Sequence, residues 1–305
     1  MINAYFNGEF CSADKIRIPL GDRALWFGDG VYDAAIGRNG KIYMPSEHID
    51  RFFSNAERLS ISLPVCKEEL RIILYTLAEK ADKCGFFIYF QATRTSACRS
   101  HAYPDDASSN LLVTVREHIP PKPDTALKLI TLPDNRYKLC HIKTLNLLPA
   151  VLASRKATEC SADEAVFVRD GFVTECAHSN IHAIINGALV THPTNEYILP
   201  GTARAALIEL AKEKRVPVVE RPFTLSELYS ADEVLVTSSS KLCLCAAEID
   251  GISYLNGKGA LEEESRKAYS DRIGRFGGRE KHRDSSDLGE RLCRLMYERF
   301  LENTR

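Results

Sequence analysis

The chain is short of most of the features that would send a protein toward nucleic acid, membrane or the outside of a cell. Its 305 residues carry 40 basic against 41 acidic side chains, a formal net charge of -1. No global field therefore gathers polyanions or anionic lipid, and an anionic ligand has to be held by a local site. No basic stretch followed by an apolar run stands at the start, where Met1-Ile-Asn-Ala-Tyr-Phe-Asn-Gly8 reads as strand and turn. No segment approaches the unbroken apolar length of a transmembrane helix. These absences predict a soluble, cytoplasmic protein with neither nucleic acid nor membrane as partner. The ten cysteines are spread thinly and form no C-x-x-C motif, only Cys243-Leu-Cys245; reduced thiols are expected, and no metal. Other signatures are missing too. Gly28-Asp-Gly30 lacks the third glycine of a dinucleotide fingerprint, because position 33 is Asp, and there is neither a G-x-S-x-G elbow nor a phosphate-loop lysine motif. His178 and His182 would share a helix face, but their stretch alternates like a strand, which excludes that metal geometry.

What is present divides at His118-Ile-Pro-Pro-Lys-Pro-Asp124, where three prolines within four positions can continue neither ladder nor helix. The boundaries expected are a first domain over 1–118, a linker over 119–124, a second domain over 125–264 and a charged tail over 265–305. In the first domain, Asn7-Gly8 and Asn39-Gly40 are type I′ hairpin signals, Phe86–Thr93 and Leu111–Val115 read as strands, and two helical patterns intervene. One runs through Ile49, Phe52, Phe53, Ala56 and Leu59 after Pro45-Ser46, the other through Leu70, Ile73, Leu74 and Leu77. An α+β unit follows, with helices over one face of a mostly antiparallel sheet. The second domain should hold a strand near Leu127–Ile130, a second strand ending near Lys143, and a helix carrying Leu148, Leu152 and Ala157. Asp170-Gly171 and Asn186-Gly187 then separate four strands, Gly201-Thr202 opens a helix with Ala205, Leu207, Ile208 and Leu210, and Glu233–Val236 is another strand. The tail is heavily charged from Arg266 to Asp287, contains Gly277-Gly278 and is expected to be partly mobile. It ends in a helix with Leu288, Leu292, Leu295, Met296 and Phe300 on one face.

Taken singly, the reactive candidates have bland explanations. Lys143 in Cys140-His-Ile-Lys143-Thr-Leu-Asn-Leu-Leu-Pro149 could be an ordinary surface lysine, although an apolar setting favours the neutral amine that attacks an aldehyde. Glu175 could be no more than a charge at a hairpin end, and Arg51 a solvated helix residue.

Together they resemble one family. Lys143-Thr-Leu-Asn-Leu-Leu148, Val173-Thr-Glu175 with Ser179-Asn180, and Leu199-Pro-Gly201-Thr-Ala-Arg204 occur in the order seen in class IV pyridoxal-phosphate-dependent aminotransferases, most closely the bacterial D-amino-acid enzymes. Gly21-Asp-Arg23, Phe27-Gly-Asp-Gly-Val-Tyr32-Asp33, Glu47-His48-Ile-Asp-Arg51 and Val236-Thr-Ser-Ser239 extend the likeness over roughly residues 1 to 255. The resemblance implies an α+β chain of fold type IV, with a small N-terminal α+β domain and a larger, β-barrel-like C-terminal α/β domain. It also implies pyridoxal 5'-phosphate as cofactor, bound as a Schiff base on Lys143, which then moves the proton at the substrate Cα. Glu175 would face the pyridine nitrogen. Arg51, the N–H groups of Thr202 and Ala203, and the Ser239 hydroxyl would hold the phosphate, with His178 close to the ring. Arg99 and His101, with Tyr32 and His48, would take the substrate carboxylate, the Arg99-Ser-His101 loop being shared across a homodimer. The substrates implied are a D-amino acid such as D-alanine and a 2-oxo acid such as 2-oxoglutarate. Cys176 and His178, which stand where the D-specific enzymes carry small residues, and Lys241-Leu-Cys-Leu-Cys-Ala-Ala247 keep two other readings open: a branched-chain L-amino-acid transaminase, and a lyase like aminodeoxychorismate lyase. A cofactor-free binding protein on the same fold is the third, disfavoured by Lys143, Glu175 and Arg51 occurring together.

Overall fold

The computed structural model describes residues 2–105, 108–254 and 287–305. They divide into two compact units, one formed by Met1–Pro120, Ile142–Leu147 and Arg299–Arg305, the other by Pro121–His141 and Leu148–Glu298.

The first unit opens with the hairpin β1 (Ala4–Phe6) and β2 (Glu9–Cys11), followed by the short helix α1 (Arg23–Phe27), β3 (Gly30–Arg38) and β4 (Lys41–Ile42). Helices α2 (Pro45–Arg58) and α3 (Lys67–Ala78) precede β5 (Phe86–Thr93) and β6 (Asn110–Glu117). Both turn residues of Asn7-Gly8 and of Asn39-Gly40 have positive φ, as a type I′ hairpin requires. The sheet runs β2-β1-β6-β5-β3-β4 and is antiparallel throughout. Ile49, Phe52 and Ala56 of α2 and Leu70, Ile73, Leu74 and Leu77 of α3 are buried with Ile88, Phe90, Leu111 and Val113 of the sheet, while Phe53 and Leu59 pack only at the edge of that core. Each such large apolar side chain fully withdrawn from water contributes about 1.5–3 kcal/mol.

The second unit comprises β7 (Leu127–Pro133), α4 (Leu148–Glu159), β8 (Glu164–Arg169), β9 (Phe172–Cys176), β10 (Asn180–Ile185) and β11 (Ala188–Thr191). There follow α5 (Thr202–Glu213), β12 (Val218–Glu220), β13 (Phe223–Thr224), α6 (Leu225–Tyr229), β14 (Glu233–Ser238), β15 (Leu242–Ile249), β16 (Ile252–Ser253) and, after residues outside the description, α7 (Leu288–Asn303), whose residues up to Glu298 belong to this unit and whose last residues, from Arg299, belong to the first. The order β12-β11-β10-β14-β15-β7-β8-β9-β13, with β16 on β15, makes a curled half-barrel sheet. It is mixed: β11–β12, β15–β7 and β7–β8 are parallel. Asp170-Gly171 and Asn186-Gly187 again have positive φ at both positions and close the hairpins expected of them.

Three expectations change. The strand foreseen before Lys143 is absent: the segment around it is irregular and makes one isolated bridge, Thr144 to Val31. On α4 only Ala157 of the expected residues is buried, together with Ala153, whereas Leu148 and Leu152 are exposed. On α5 Ala203 and Ala206 turn inward with Leu207, Ile208 and Leu210, and Ala205 faces out. The final helix is as foreseen, with Leu292, Met296 and Phe300 buried. The charged stretch before it, including Gly277-Gly278, lies outside the described residues but for Asp287.

Candidate active site

Within the first unit, the segment bearing Lys143 is laid along β3. Tyr32 N–H donates to the Lys143 carbonyl (3.0 Å), Leu145 N–H to the Gly30 carbonyl (3.1 Å), and the Asn146 side-chain amide to the Gly28 carbonyl (3.0 Å). This contact explains the two glycines of Gly28-Asp-Gly30. A Cβ on Gly28 would lie 2.8 Å from Asn146 Oδ1, and one on Gly30 would lie 2.7 Å from Leu145 Cδ1 and 2.6 Å from the Ala92 carbonyl. Gly28 also closes α1 in the left-handed region, at φ 61°. The glycines admit the lysine-bearing strand of chain, not a dinucleotide. Lys143 Nζ stands 4.3 Å from the centre of the Tyr32 ring, which stacks on Tyr89.

Successive β3 side chains point to opposite faces, so Tyr32 is followed by Asp33 on the other side, wholly buried. Asp33 accepts from Arg51 Nε (2.7 Å) and Nη2 (2.8 Å), lies 2.8 Å from His48 Nδ1, and takes the N–H of Ala34 (2.7 Å). His48 and Arg51 are three apart on α2 and so meet the same carboxylate. Burial pushes the Asp33 carboxyl up, but the Arg51 guanidinium and His48 outweigh it and hold the group well below the usual carboxylate range. His48 is held below the usual imidazole value, first by burial and further by Arg51 and Lys143, against the pull of Asp33. The neutral ring is therefore a buried partner of Asp33, and an imidazole so enclosed is poorly placed to meet a substrate carboxylate directly.

Arg99 and His101 lie in the exposed loop that follows β5, both near Phe27: the Arg99 guanidinium is 5.2 Å from the centre of that ring and the His101 ring also 5.2 Å. Among the described residues neither has a carboxylate partner.

Within the second unit, Glu175 is the next-to-last residue of β9 and is surrounded by donors. Oε1 takes Arg136 Nη1, and Oε2 takes Asn180 Nδ2 (3.0 Å) and the Leu199 N–H (2.9 Å). Asn180 Nδ2 also donates to the Leu199 carbonyl (2.9 Å), and its Oδ1 lies where a Cβ on Gly201 would be, 2.0 Å away. Gly201 is thus required by close approach, since its φ of -67° is open to any residue. It precedes α5, whose opening N–H groups belong to Thr202 and Ala203 and have no acceptor within the helix. Ser239 occupies the tight turn between β14 and β15, where Ser238 and Ser240 hydroxyls lie 3.3 Å apart. His178, half exposed, reaches the fully buried Glu164 through Nδ1 (3.2 Å) and its N–H (3.0 Å); the same carboxylate takes Ser179 Oγ (2.9 Å) and Lys241 Nζ (2.8 Å). Cys176 is buried, and burial raises its thiol well above the usual value. His182 is also enclosed, lying 2.9 Å from both the Thr191 and Thr237 hydroxyls. Among the described residues no group of His, Cys, Asp or Glu could hold a metal ion.

Sequence reading overlooked Arg136. Its guanidinium grips Asp134 and Glu175, donates to the Tyr197 carbonyl (3.1 Å), and stacks 4.5 Å from the Phe167 ring. Asp33, Asp29, Glu164 and Lys241 were overlooked as well, because a charged residue in a strand or turn has no local signal for a buried partner.

Three comparisons with known proteins give the family of the chain. The model of the family Amino-transferase class IV matches residues 30–249. The chain is 34% identical to a D-alanine aminotransferase of Staphylococcus epidermidis, over 85% of this chain and 93% of that protein. It is 36% identical to a D-alanine aminotransferase of Listeria monocytogenes, over 83% and 89% respectively. In fold it resembles the crystal structure of a branched-chain aminotransferase from Thermoproteus uzoniensis with norvaline, at a TM-score of 0.79 and 18% identity over 99% of this chain and 97% of that one. The match to the family model covers most of the chain, and the chain belongs to the class IV aminotransferases, whose cofactor is pyridoxal 5'-phosphate.

Proposed function

We propose that this enzyme transfers the amino group of a D-amino acid such as D-alanine to a 2-oxo acid such as 2-oxoglutarate. The observation that carries the substrate class is its 34% and 36% identity, over most of the chain, to two D-alanine aminotransferases.

The residues fit the cofactor in kind. A dianionic phosphate needs a cation and oriented backbone donors; Arg51, the α5 opening at Thr202 and Ala203, and Ser239 supply them. A protonated pyridine nitrogen needs a carboxylate, and Glu175 is one fixed by Arg136, Asn180 and the Leu199 N–H. When bound, pyridoxal phosphate supplies the electron sink for the carbanion left at the substrate Cα. Lys143 Nζ would hold the cofactor covalently and, when free, would carry the proton to and from the substrate Cα. His178, in the turn between Glu175 and Asn180, would lie close to the ring. Arg99 and His101 take the substrate carboxylate with the Tyr32 hydroxyl, while His48 acts one step back, through Asp33 and Arg51.

The protein works as a homodimer that shares the Arg99–His101 loop, in a reducing, cytoplasmic setting. Supporting the first point, α4 exposes Leu148 (67%), Val151 (58%) and Leu152 (62%) in one stripe, a costly face to leave in water. Supporting the second, all ten cysteines are free thiols, four of them exposed. No helix among the described residues is long and apolar enough to cross a membrane. Sedimentation velocity should give a dimer, and Leu152→Asp should shift it toward monomer.

The test of function is turnover of D-alanine with 2-oxoglutarate, giving pyruvate and glutamate with the parallel-line kinetics of a ping-pong exchange. Faster turnover of L-leucine, or release of many equivalents of pyruvate per subunit from aminodeoxychorismate with no oxo-acid acceptor present, would overturn the reading in favour of a branched-chain enzyme or a lyase; the single equivalent released from D-alanine in the first half-reaction would not.

A further inference from the structure

Two segments of the likeness, Gly21-Asp22-Arg23 and the Asp29 of Phe27-Gly-Asp-Gly, have no part in the chemistry above, yet they converge under the Arg99–His101 loop. Arg23 and Arg94 are both buried. Asp29 accepts from Arg23 Nε (2.7 Å) and Arg94 Nε (2.9 Å), and the two guanidiniums, outweighing its partial burial, hold its carboxyl below the usual range. The remaining nitrogens of Arg23 reach the loop itself: Nη1 donates to the Ser100 carbonyl (2.6 Å) and Nη2 to the His101 carbonyl (3.0 Å). Arg94 donates to the carbonyls of Leu59 and Ser60 (2.9 Å each), just beyond α2, and its guanidinium stacks 3.8 Å from the Tyr103 ring. Phe27 lies 4.7 Å from the Arg23 guanidinium, so Arg23, Arg99 and His101 all pack near the same ring. At the base, Asp22 caps α1 through the Ala24 N–H (2.8 Å), takes the Thr93 hydroxyl (2.7 Å), and is followed by Arg23 N–H donating to the Thr95 carbonyl (3.0 Å). A Cβ on Gly21 would stand 3.0 Å from the Ala97 carbonyl, so the two chains run together closely there.

The arrangement has a plain physical consequence. The loop's backbone would otherwise sample many conformations, and a planar guanidinium bonded to two consecutive carbonyls admits few of them. Arg23 can hold that fork only while its Nε is aimed, and Asp29 aims it. The charges add to the effect: Arg23, Arg94 and Arg99 outnumber Asp29, so the loop presents an excess of positive charge to an incoming carboxylate. We propose that Arg23 and Asp29 are positioning residues for carboxylate capture, fixing the 99–101 loop so that Arg99 and His101 meet the substrate ready aligned. The proposal rests on the reading of Arg99 and His101 as the carboxylate-binding pair.

The experiment uses the holoenzyme. Arg23→Lys keeps the charge and loses the fork; Asp29→Asn keeps the size and loses the aim. Arg23→Lys should raise KM for D-alanine and for 2-oxoglutarate about tenfold and leave kcat within about threefold, the mark of lost binding common to ground and transition states. Amide hydrogen exchange over residues 97–104, measured without substrate, should speed up about tenfold, since the pinned loop is what the fork protects. In the Arg99→Met background, Arg23→Lys should raise KM by much less than it does alone, because it acts through Arg99 and His101 and only His101 is left to misalign. Should Arg23→Lys fold poorly, Asp29→Asn gives the same three readouts, and Asp29→Glu should restore KM at least in part. Unchanged exchange with unchanged KM, or a fall in kcat at constant KM, would overturn the proposal. The two failures are distinguishable: a wild-type enzyme that turns over no amino acid defeats the functional reading, while exchange over 97–104 still decides whether Arg23 and Asp29 pin the loop.

Discussion

Lys143→Ala should abolish transamination, lowering kcat by on the order of four powers of ten, because one amine both anchors the cofactor and moves the Cα proton. Treatment of the wild-type holoenzyme with borohydride should leave the cofactor covalently attached to a peptide containing Lys143; the alanine protein should give no labelled peptide. Folding should be little affected, since the backbone contacts that seat the segment, Lys143 carbonyl to Tyr32 N–H and Leu145 N–H to the Gly30 carbonyl, do not involve the side chain. A cofactor that remains reducible onto the Lys143→Ala protein would overturn the assignment of Lys143, and with it the reason given for Gly28 and Gly30 as the glycines that admit this segment.

Asp33→Asn should destabilise the first unit by about 3–5 kcal/mol, as expected when one member of a buried ion pair is removed and the other left behind. Arg51 is nearly buried and loses its counter-charge, and the amide keeps only one of the two oxygens that the guanidinium and His48 now share. The acid limb of the stability curve gives a sharper check. Asp33 has a folded-state value depressed from 3.8, so its contribution is present above that value and is lost as pH falls through the lower folded one. His48 is depressed from 6.5, and burial pushes His182 down to about 3. Folded histidines that refuse protons also make stability fall as pH drops, in their case from 6.5 downward. In both cases the unfolded chain binds more protons. Melting temperature measured against pH should therefore decline in two overlapping stages for the wild type, and Asp33→Asn should lose most of the stage below 3.8 while keeping the histidine stage. An unaltered acid limb in the variant would mean that Asp33 is not the ion pair described. Because Arg51 is the cation assigned to the phosphate, the variant should also bind the cofactor more weakly in equilibrium dialysis.

Much of this was legible in order along the chain. Four of the five Asn-Gly and Asp-Gly turns among the described residues could be read directly, since few residue pairs tolerate two consecutive positive φ values and each lies between β-forming runs; the fifth, Asp250-Gly251 between β15 and β16, was missed. The helices α2, α3 and α7 were legible for an equally local reason, a repeat of apolar residues at helical spacing. Lys143 and Glu175 stood out only through the motifs around them, because a single charged residue carries no periodicity of its own.

Other features were decided by contacts that no window of sequence contains. The segment before Lys143 looks like a strand and is not a regular one: the chain around Lys143 meets β3 through a single isolated bridge, Thr144 to Val31. His48 resembles an exposed imidazole on a helix until Asp33, fifteen residues away, claims it. Arg136 looks like a loop arginine until Glu175, thirty-nine residues on, is brought against it. The sequence by itself determined the turns, the amphipathic helices and the family, and it supplied Lys143 as the proposed reactive lysine; all of these rest on local backbone preference or on ordered motifs. Only the tertiary structure decided which charges are buried in pairs, why Gly28, Gly30 and Gly201 bear no side chain, and what holds the Arg99–His101 loop. Those depend on distances between residues far apart in the chain, and a buried charge is tolerated only where folding delivers its partner.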